Sequence, residues 1–280
     1  MPACRIGLFD SGLGGLTVAR QIWARAPEAA MLYFADTAHV PYGEKTPAEL
    51  IGFADAITAF LTASGAGLIV DACNSTSAVA LDYLQEKYEV PVIGVITPGA
   101  EAAARLTSNG RIGVMATRAT IWSQAHLAAL RRMDAGLEIF TQECPLLVPL
   151  VEEGHVDDDL ALAALAQYLQ PLKAAGIDTL ILGCTHYPFM TSAIKAIMGP
   201  GVAVVDPAEE VGLQVASLCP AQEGAGVAHS TGGREDTFFT SGDPRKFSPL
   251  AAKLLGRNLP GRVVAVSPPP NIAILALGKN

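Results

Sequence analysis

Leu68-Ile69-Val70-Asp71-Ala72-Cys73-Asn74-Ser75 and Leu180-Ile181-Leu182-Gly183-Cys184-Thr185-His186 decide the fold. In each, a short run of apolar residues delivers a thiol to its end, and small hydrogen-bonding side chains and then a helical pattern follow at once. Continuous apolar runs of this length read as strands covered on both faces, hence as members of a parallel sheet. Open α/β sheets bind their ligands at the carboxyl ends of such strands, where both thiols stand. Two thiols facing each other across one substrate can serve as base and acid on opposite faces of a single carbon, which is the minimum needed to invert a stereocentre.

Apolar runs rich in Val, Ile and Leu recur at about 4–9, 31–35, 67–72, 91–96, 111–116, 137–141, 178–183 and 202–205, separated by helical periodicity. This alternation predicts an α/β fold on parallel sheet. Thr46-Pro47-Ala48-Glu49 combines a capping Thr, a Pro at the first helical position and a Glu placed to return the hydrogen bond. Asp206-Pro207 and Asp243-Pro244 repeat the cap and the Pro, while Gly65 and Gly176 suit helix ends. Ile6-Gly7-Leu8-Phe9-Asp10-Ser11 resembles Ile112-Gly113-Val114-Met115-Ala116-Thr117, at nearly the offset that separates Cys73 from Cys184. Two halves of like design, each lending a thiol to a shared cleft, produce that offset, and so does chance likeness between α/β segments.

The chain has 280 residues, 50% of them hydrophobic, which is enough core material for one large domain or two modest ones. Its formal net charge is -8 and its Lys and Arg residues are scattered singly, so nucleic acid is not expected as a partner. The first residues lack the pattern of a leader and no apolar run approaches membrane-spanning length, so a cytoplasmic protein without membrane contact is expected. Cys4, Cys73, Cys144, Cys184 and Cys219 are an odd number, widely spaced and without a C-x-x-C pair, which argues against disulfides and structural zinc. All are expected as free thiols, with Cys4, Cys144 and Cys219 as small buried hydrophobes.

Asp10-Ser11-Gly12-Leu13-Gly14-Gly15 follows the first strand and opens a helix. It lacks the last Gly of a dinucleotide fingerprint, so no nucleotide cofactor is expected. It offers an exposed carboxylate and hydroxyl at a strand end, beside helix N–H groups able to hold an anion. Pro41-Tyr42-Gly43 is a turn by composition, and it also presents a backbone and a phenol to a pocket wall.

These stretches, with Tyr33-Phe34-Ala35-Asp36, Gly94-Val95-Ile96, Tyr187-Pro188 and Val205-Asp206-Pro207, resemble the glutamate racemases, cofactor-independent members of the aspartate/glutamate racemase superfamily. The likeness runs in order from Ile6 to about Phe247. It implies two doubly wound parallel-sheet α/β domains related by a pseudo-twofold, 1–97 plus 208–280 and 98–207, with the active site between them. It implies that Cys73 and Cys184 are the two acid/base residues, that Asp10 supports Cys73, and that His186 with Glu152 supports Cys184. By the same likeness Asp10, Ser11, Tyr42, Gly43, Asn74, Ser75, Thr185 and His186 hold the amino acid, and the product is D-glutamate for peptidoglycan. A homodimer is expected, and neither metal nor other cofactor. Two departures stand out: Cys73-Asn74-Ser75-Thr76 replaces the usual Cys-Asn-Thr-Ala, and Asp71 replaces an apolar residue where a carboxylate disfavours a thiolate at Cys73.

The chemistry also follows from the residues. Removing an α-proton normally calls for an electron sink such as pyridoxal phosphate, yet nothing marks a lysine for a Schiff base. A thiol, with an ordinary pKa of about 8.5, is a usable base after a small depression and a ready acid without one. Among the histidines only His186, two residues past a strand-end thiol, is placed to assist; His39, His126, His155 and His229 read as structural. Glu152 and Glu153 read equally as a solvated helix start or loop, and Thr117 and Thr120 equally as helix caps or cleft lining. Rival readings are a Cys/His hydrolase or transferase, which leaves the second cysteine motif unexplained, a two-lobed amino-acid sensor, which needs no thiols, and a racemase of aspartate or hydantoin.

Overall fold

The computed structural model describes residues 4–220 and 236–267, and His229 lies outside them. The described strands are β1 (Arg5–Asp10), β2 (Ala30–Ala35), β3 (Leu68–Asp71), β4 (Val92–Gly94), β5 (Arg111–Ala116), β6 (Glu138–Glu143), β7 (Thr179–Gly183), β8 (Ala203–Val205), β9 (Asp236–Thr240) and β10 (Gly261–Ala265). They form two sheets, ordered β10-β9-β2-β1-β3-β4 and β6-β5-β7-β8, and every pairing is parallel. Among the described residues no helix is long and apolar enough to cross a membrane.

The order β2-β1-β3-β4 is repeated as β6-β5-β7-β8, and the register repeats with it. Ile6 lies beside Leu68 and Phe9 beside Asp71, while Ile112 lies beside Thr179 and Met115 beside Leu182. Matching Ile6 to Ile112 therefore matches Asp71 to Leu182, Cys73 to Cys184 and Asn74 to Thr185. The likeness of the two segments is a likeness of position in the fold.

Burial explains the unbroken apolar runs. Successive residues of a strand point to opposite faces, and here both faces are covered: Ile6, Leu8, Val70, Ile112, Val114 and Ile181 share one core cluster that draws on both sheets. Phe9 and Ile69 enter a second cluster on the first sheet, and Met115, Leu180 and Leu182 a third on the second sheet. Each such side chain contributes about 2 kcal/mol by leaving water.

The helix Pro47–Ala63 starts with a complete capping box between Thr46 and Glu49. Asp206 and Asp243 cap their helices by accepting from Ala208 N and Arg245 N. Gly65 and Gly176 have φ of +90° and +67°, the left-handed conformation a helix end requires. The helix Ile96–Leu106 runs across position 98, so that boundary falls within its first turn.

Two expectations are corrected. The strand pattern omitted β9 and β10, which complete the first sheet beside β2. Cys4 and Cys219, 215 positions apart in sequence, are joined to each other with Cα atoms 5.7 Å apart, a distance that suits a disulfide. The start of β1 and the end of the helix Pro207–Leu218 meet in space, which spacing along the chain does not reveal. Cys73, Cys144 and Cys184 are free and buried.

Candidate active site

Cys73 follows β3 and occupies the N-cap of the helix Asn74–Lys87, so its backbone turns from extended to helical at the sulfur-bearing residue. Its amide donates to Asp71 Oδ1 at 3.2 Å, and Thr76 Oγ1 donates to the same oxygen at 2.5 Å. Burial pushes the Cys73 thiol well above its ordinary range, and the charges of Asp10 and Asp71 add to the rise. Burial likewise lifts the Asp71 carboxyl well above the usual carboxylate range, against the hydrogen bond from Thr76.

Cys184 follows β7 in a different manner. The helical pattern expected directly after it is a 3-10 turn, Tyr187–Met190, before the helix Thr191–Met198 begins. Pro188 opens that turn, and its fixed φ and missing N–H suit a first-turn position. His186 Nδ1 lies 3.8 Å from Cys184 Sγ, and His186 Nε2 lies 2.7 Å from Glu152 Oε1. Burial works to lower the His186 pKa, but the hydrogen bonds to Cys184 and Glu152 outweigh it and hold the ring well above its ordinary value. Burial opposes the charge on Glu152, and the His186 hydrogen bond keeps that carboxyl below its ordinary value. The imidazole thus bridges the Glu152 carboxyl and the Cys184 sulfur, and both contacts favour its charged form.

Both thiols line one cavity of about 670 Å³, open to solvent. Its floor is buried: Cys73, Asn74 and Ser75 come from the first half, Cys184, Thr185 and His186 from the second. Ser75 Oγ is 3.1 Å from Thr117 Oγ1 and 3.3 Å from Thr120 Oγ1, which ties the halves together through hydroxyls. Gly14 is a glycine for steric reasons: a Cβ there would collide with Thr185 Oγ1 and His186 Nδ1. At Gly43 a Cβ would come within 2.8 Å of Thr117 Cβ. Both glycines let one half approach the other.

A family model described as Asp/Glu/Hydantoin racemase matches residues 16–212. This chain belongs to that racemase family. It is 44% identical over 257 residues to a glutamate racemase of Desulforudis audaxviator, covering 90% of this chain and 94% of the relative. A glutamate racemase isoform of Bacillus anthracis superposes with a TM-score of 0.87 at 36% identity, covering 95% of this chain and 98% of that one. The Francisella tularensis glutamate racemase, solved in complex with D-glutamate, gives a TM-score of 0.84 at 32% identity over 95% of this chain and 98% of that one.

Within this racemase-family fold, the residues singled out from the sequence converge. Ser11, Tyr42, Gly43, Asn74, Ser75, Thr185 and His186 line the cavity with the thiols. Asp10 is wholly buried, correcting the exposed carboxylate expected at that strand end. Its oxygens accept from Gly12 N and from Thr185 Oγ1, each at 3.0 Å, so it reaches Cys73 by charge and the second half by a hydrogen bond. The Tyr42 phenol, expected to be available to a ligand, donates to Asp36 at 2.6 Å, leaving the ring and backbone to face the cavity.

Of the acidic pair, Glu152 turns inward to His186 and to Leu13 N, whereas Glu153 points outward. Thr117 occupies an N-cap without making the capping hydrogen bond; its hydroxyl is among the cleft hydroxyls instead. Several contributors escaped the sequence reading. Asp36 accepts from Tyr42 and from Ser241 Oγ at 2.6 Å, so the segment after β9 braces the wall at residues 41–44. Arg118, Pro145 and Pro149 form part of the rim. Asp36 lay within a quoted motif, but no spacing linked it to Ser241.

Proposed function

We propose that this chain interconverts L- and D-glutamate by a two-thiol acid/base mechanism, with Cys73 and Cys184 removing and returning the α-proton on opposite faces of the carbon. The observation that carries this reading is that two buried thiols stand at register-equivalent strand ends and line one cavity. A Cys/His hydrolase needs only one of them.

The residues supply what such a reaction requires. The His186 imidazolium, anchored by Glu152, lies beside the Cys184 sulfur and favours negative charge there. At Cys73 the N-terminus of the helix Asn74–Lys87 favours an anion, while Asp10 and Asp71 oppose one. Asn74 Oδ1, buried and without a protein partner, is an acceptor for the substrate ammonium. The N–H groups at the start of the helix Asn74–Lys87 stabilise charge that develops on the α-carboxylate as the carbanion forms, while the Thr185 hydroxyl is donated to Asp10.

The pathway, by the family likeness, has Cys184 acting on L-glutamate and Cys73 on D-glutamate. The same reading takes residues 98–207 as the second domain, places the protein in the cytoplasm as a homodimer, and assigns its product to peptidoglycan synthesis. The test is incubation of the purified protein with L-glutamate in D2O, without metal or pyridoxal phosphate, following circular dichroism and α-deuteration. Decay of the signal to a racemate with deuterium at the α-carbon is expected. Inactivity until pyridoxal phosphate is added, abolition by a chelator, or faster turnover of aspartate would each overturn it.

A further inference from the structure

The cavity has a buried floor and an exposed rim, and the rim carries one carboxylate, Glu44, and one guanidinium, Arg118. Pro41, Glu44, Arg118, Pro145 and Pro149 are its exposed lining residues, and Arg118 is the only Lys or Arg among the lining residues. The prolines give the rim little freedom to reorganise, so an anion entering the cavity meets a guanidinium on a stiff frame.

Arg118 is held loosely. Its Nε is 3.4 Å from Glu143 Oε2, and its guanidinium carbon lies 5.6 Å from the centre of the Trp122 ring. The arginine side chain is 52% exposed, and an ion pair that open to water is weak enough to exchange partners. Glu143 does not depend on it, because its other oxygen accepts from Trp122 Nε1 at 2.7 Å. Moving the arginine toward the cavity therefore leaves Glu143 with a partner. The chain as a whole carries -8, so a dicarboxylate approaches against an unfavourable field that one positive charge at the rim relieves locally.

We infer that Arg118 is a specificity-determining residue: it exchanges Glu143 for the distal carboxylate of an incoming dicarboxylic amino acid, drawing that class of substrate into the cavity. This rests on the racemase reading above. Guanidinium and carboxylate match as a bidentate pair, which the exposed Glu143 contact, made through Nε alone, does not use. The distal carboxylate does not change charge as the α-proton moves, so a contact to it binds ground and transition states alike and lowers KM without raising kcat.

The experiment is steady-state racemisation of L-glutamate at several salt concentrations by the wild type, Arg118→Gln, Arg118→Lys and Glu143→Gln, with a thermal melt of each. Arg118→Gln is expected to raise KM about tenfold with kcat nearly unchanged, and to flatten the salt dependence of kcat/KM. Arg118→Lys should keep that salt dependence, and Glu143→Gln should lower KM by freeing the guanidinium. An Arg118→Gln protein that keeps the wild-type KM or salt dependence, or that loses kcat instead, overturns the inference. Should Arg118→Gln fail to fold, an unchanged KM in Glu143→Gln overturns it alone. A wild type inactive on L-glutamate sinks the reaction assignment, whereas an active wild type with an indifferent Arg118→Gln sinks only this inference.

Discussion

The two halves deliver their thiols at the same register and then treat them oppositely. Cys73 begins a helix and has two carboxylates acting on it, Asp10 and Asp71. Cys184 precedes a 3-10 turn and lies against an imidazolium tied to Glu152. Where the first half has Asp71, the second has Leu182. Backbone symmetry thus places two bases across one carbon, while the neighbouring side chains decide how readily each becomes a thiolate. An enzyme reading both enantiomers of one substrate does not need chemically equal halves, since a difference in one direction is matched by the fixed equilibrium between mirror images.

The largest expected effect separates the halves altogether. Cys73→Ser and Cys184→Ser should each lose racemisation by at least ~10³-fold, because an alcohol keeps the volume and a hydrogen bond but is not a base near neutral pH. Eliminating a leaving group from the adjacent carbon needs only the first proton transfer. With a β-chloro glutamate analogue, Cys73→Ser should consume the L-like isomer through Cys184 and Cys184→Ser the D-like isomer through Cys73. Chloride release assayed for each isomer checks this, with Cys144→Ser, which alters the remaining free cysteine, as control. Both variants preferring one isomer would mean that the thiols do not flank the carbon.

Next in size is His186→Gln, which keeps a hydrogen-bonding side chain but removes the positive charge beside Cys184. Turnover from L-glutamate, the direction that starts at Cys184, should fall by ~10²-fold, and its dependence on pH should change most. If D-like elimination by the Cys184→Ser, His186→Gln double variant falls as far as the L-direction does in the single variant, His186 serves the whole cavity and not one thiol.

How much of this asymmetry was legible in sequence follows from the range of the signals. The strand ends and both thiols could be read because burial on both faces leaves unbroken apolar runs, and helix starts because Thr46, Asp206 and Asp243 carry a Pro beside them. β9 and β10 escaped because Asp236–Thr240 and Gly261–Ala265 each mix polar residues or glycine with their few apolar ones, so neither forms an unbroken apolar run. The Cys4–Cys219 pairing, the Asp10–Thr185 hydrogen bond and the Asp36–Ser241 brace join residues far apart in the chain, and local pattern does not encode such contacts. Asp71 was visible as a carboxylate near Cys73, but its bonds to Cys73 N and Thr76 Oγ1 needed coordinates.

Asp71 supplies a smaller test of the same contrast. Asp71→Asn keeps an acceptor for Cys73 N and Thr76 but deletes the charge that raises the Cys73 thiol. The acid limb of the D-glutamate direction, where Cys73 must be a thiolate, and the alkaline limb of the L-glutamate direction, where it must be a thiol, should both move to lower pH, with less than ~10-fold change in maximal rate. A pH profile identical to wild type in both directions would show that Asp71 does not act on Cys73 through charge.

The smallest effect concerns stability and again distinguishes the halves. His126, on the helix Ala125–Met133, is buried with both ring nitrogens unpartnered, and a Cβ at Gly183, just before Cys184, would lie 3.3 Å from its Cε1. Burial lowers its pKa to about 4 from an ordinary 6.5. Above about 6.5 neither the folded nor the unfolded chain protonates this ring, so the fold keeps its full stability; as pH falls toward about 4, the unfolded chain takes up the proton first and stability is lost. The loss approaches ~3 kcal/mol at its limit. Asp206, lifted by burial to about 6, acts in the opposite sense, since the folded state takes up its proton before the unfolded chain does as pH falls. The wild-type curve therefore mixes the two, and the difference between wild type and His126→Leu isolates the histidine. The difference between their urea midpoints, measured from pH 7.5 down to 4.5, should be constant near the top of that range and shift in favour of the leucine variant below about 6.5. A constant difference across the range would mean that His126 costs the second half nothing on protonation.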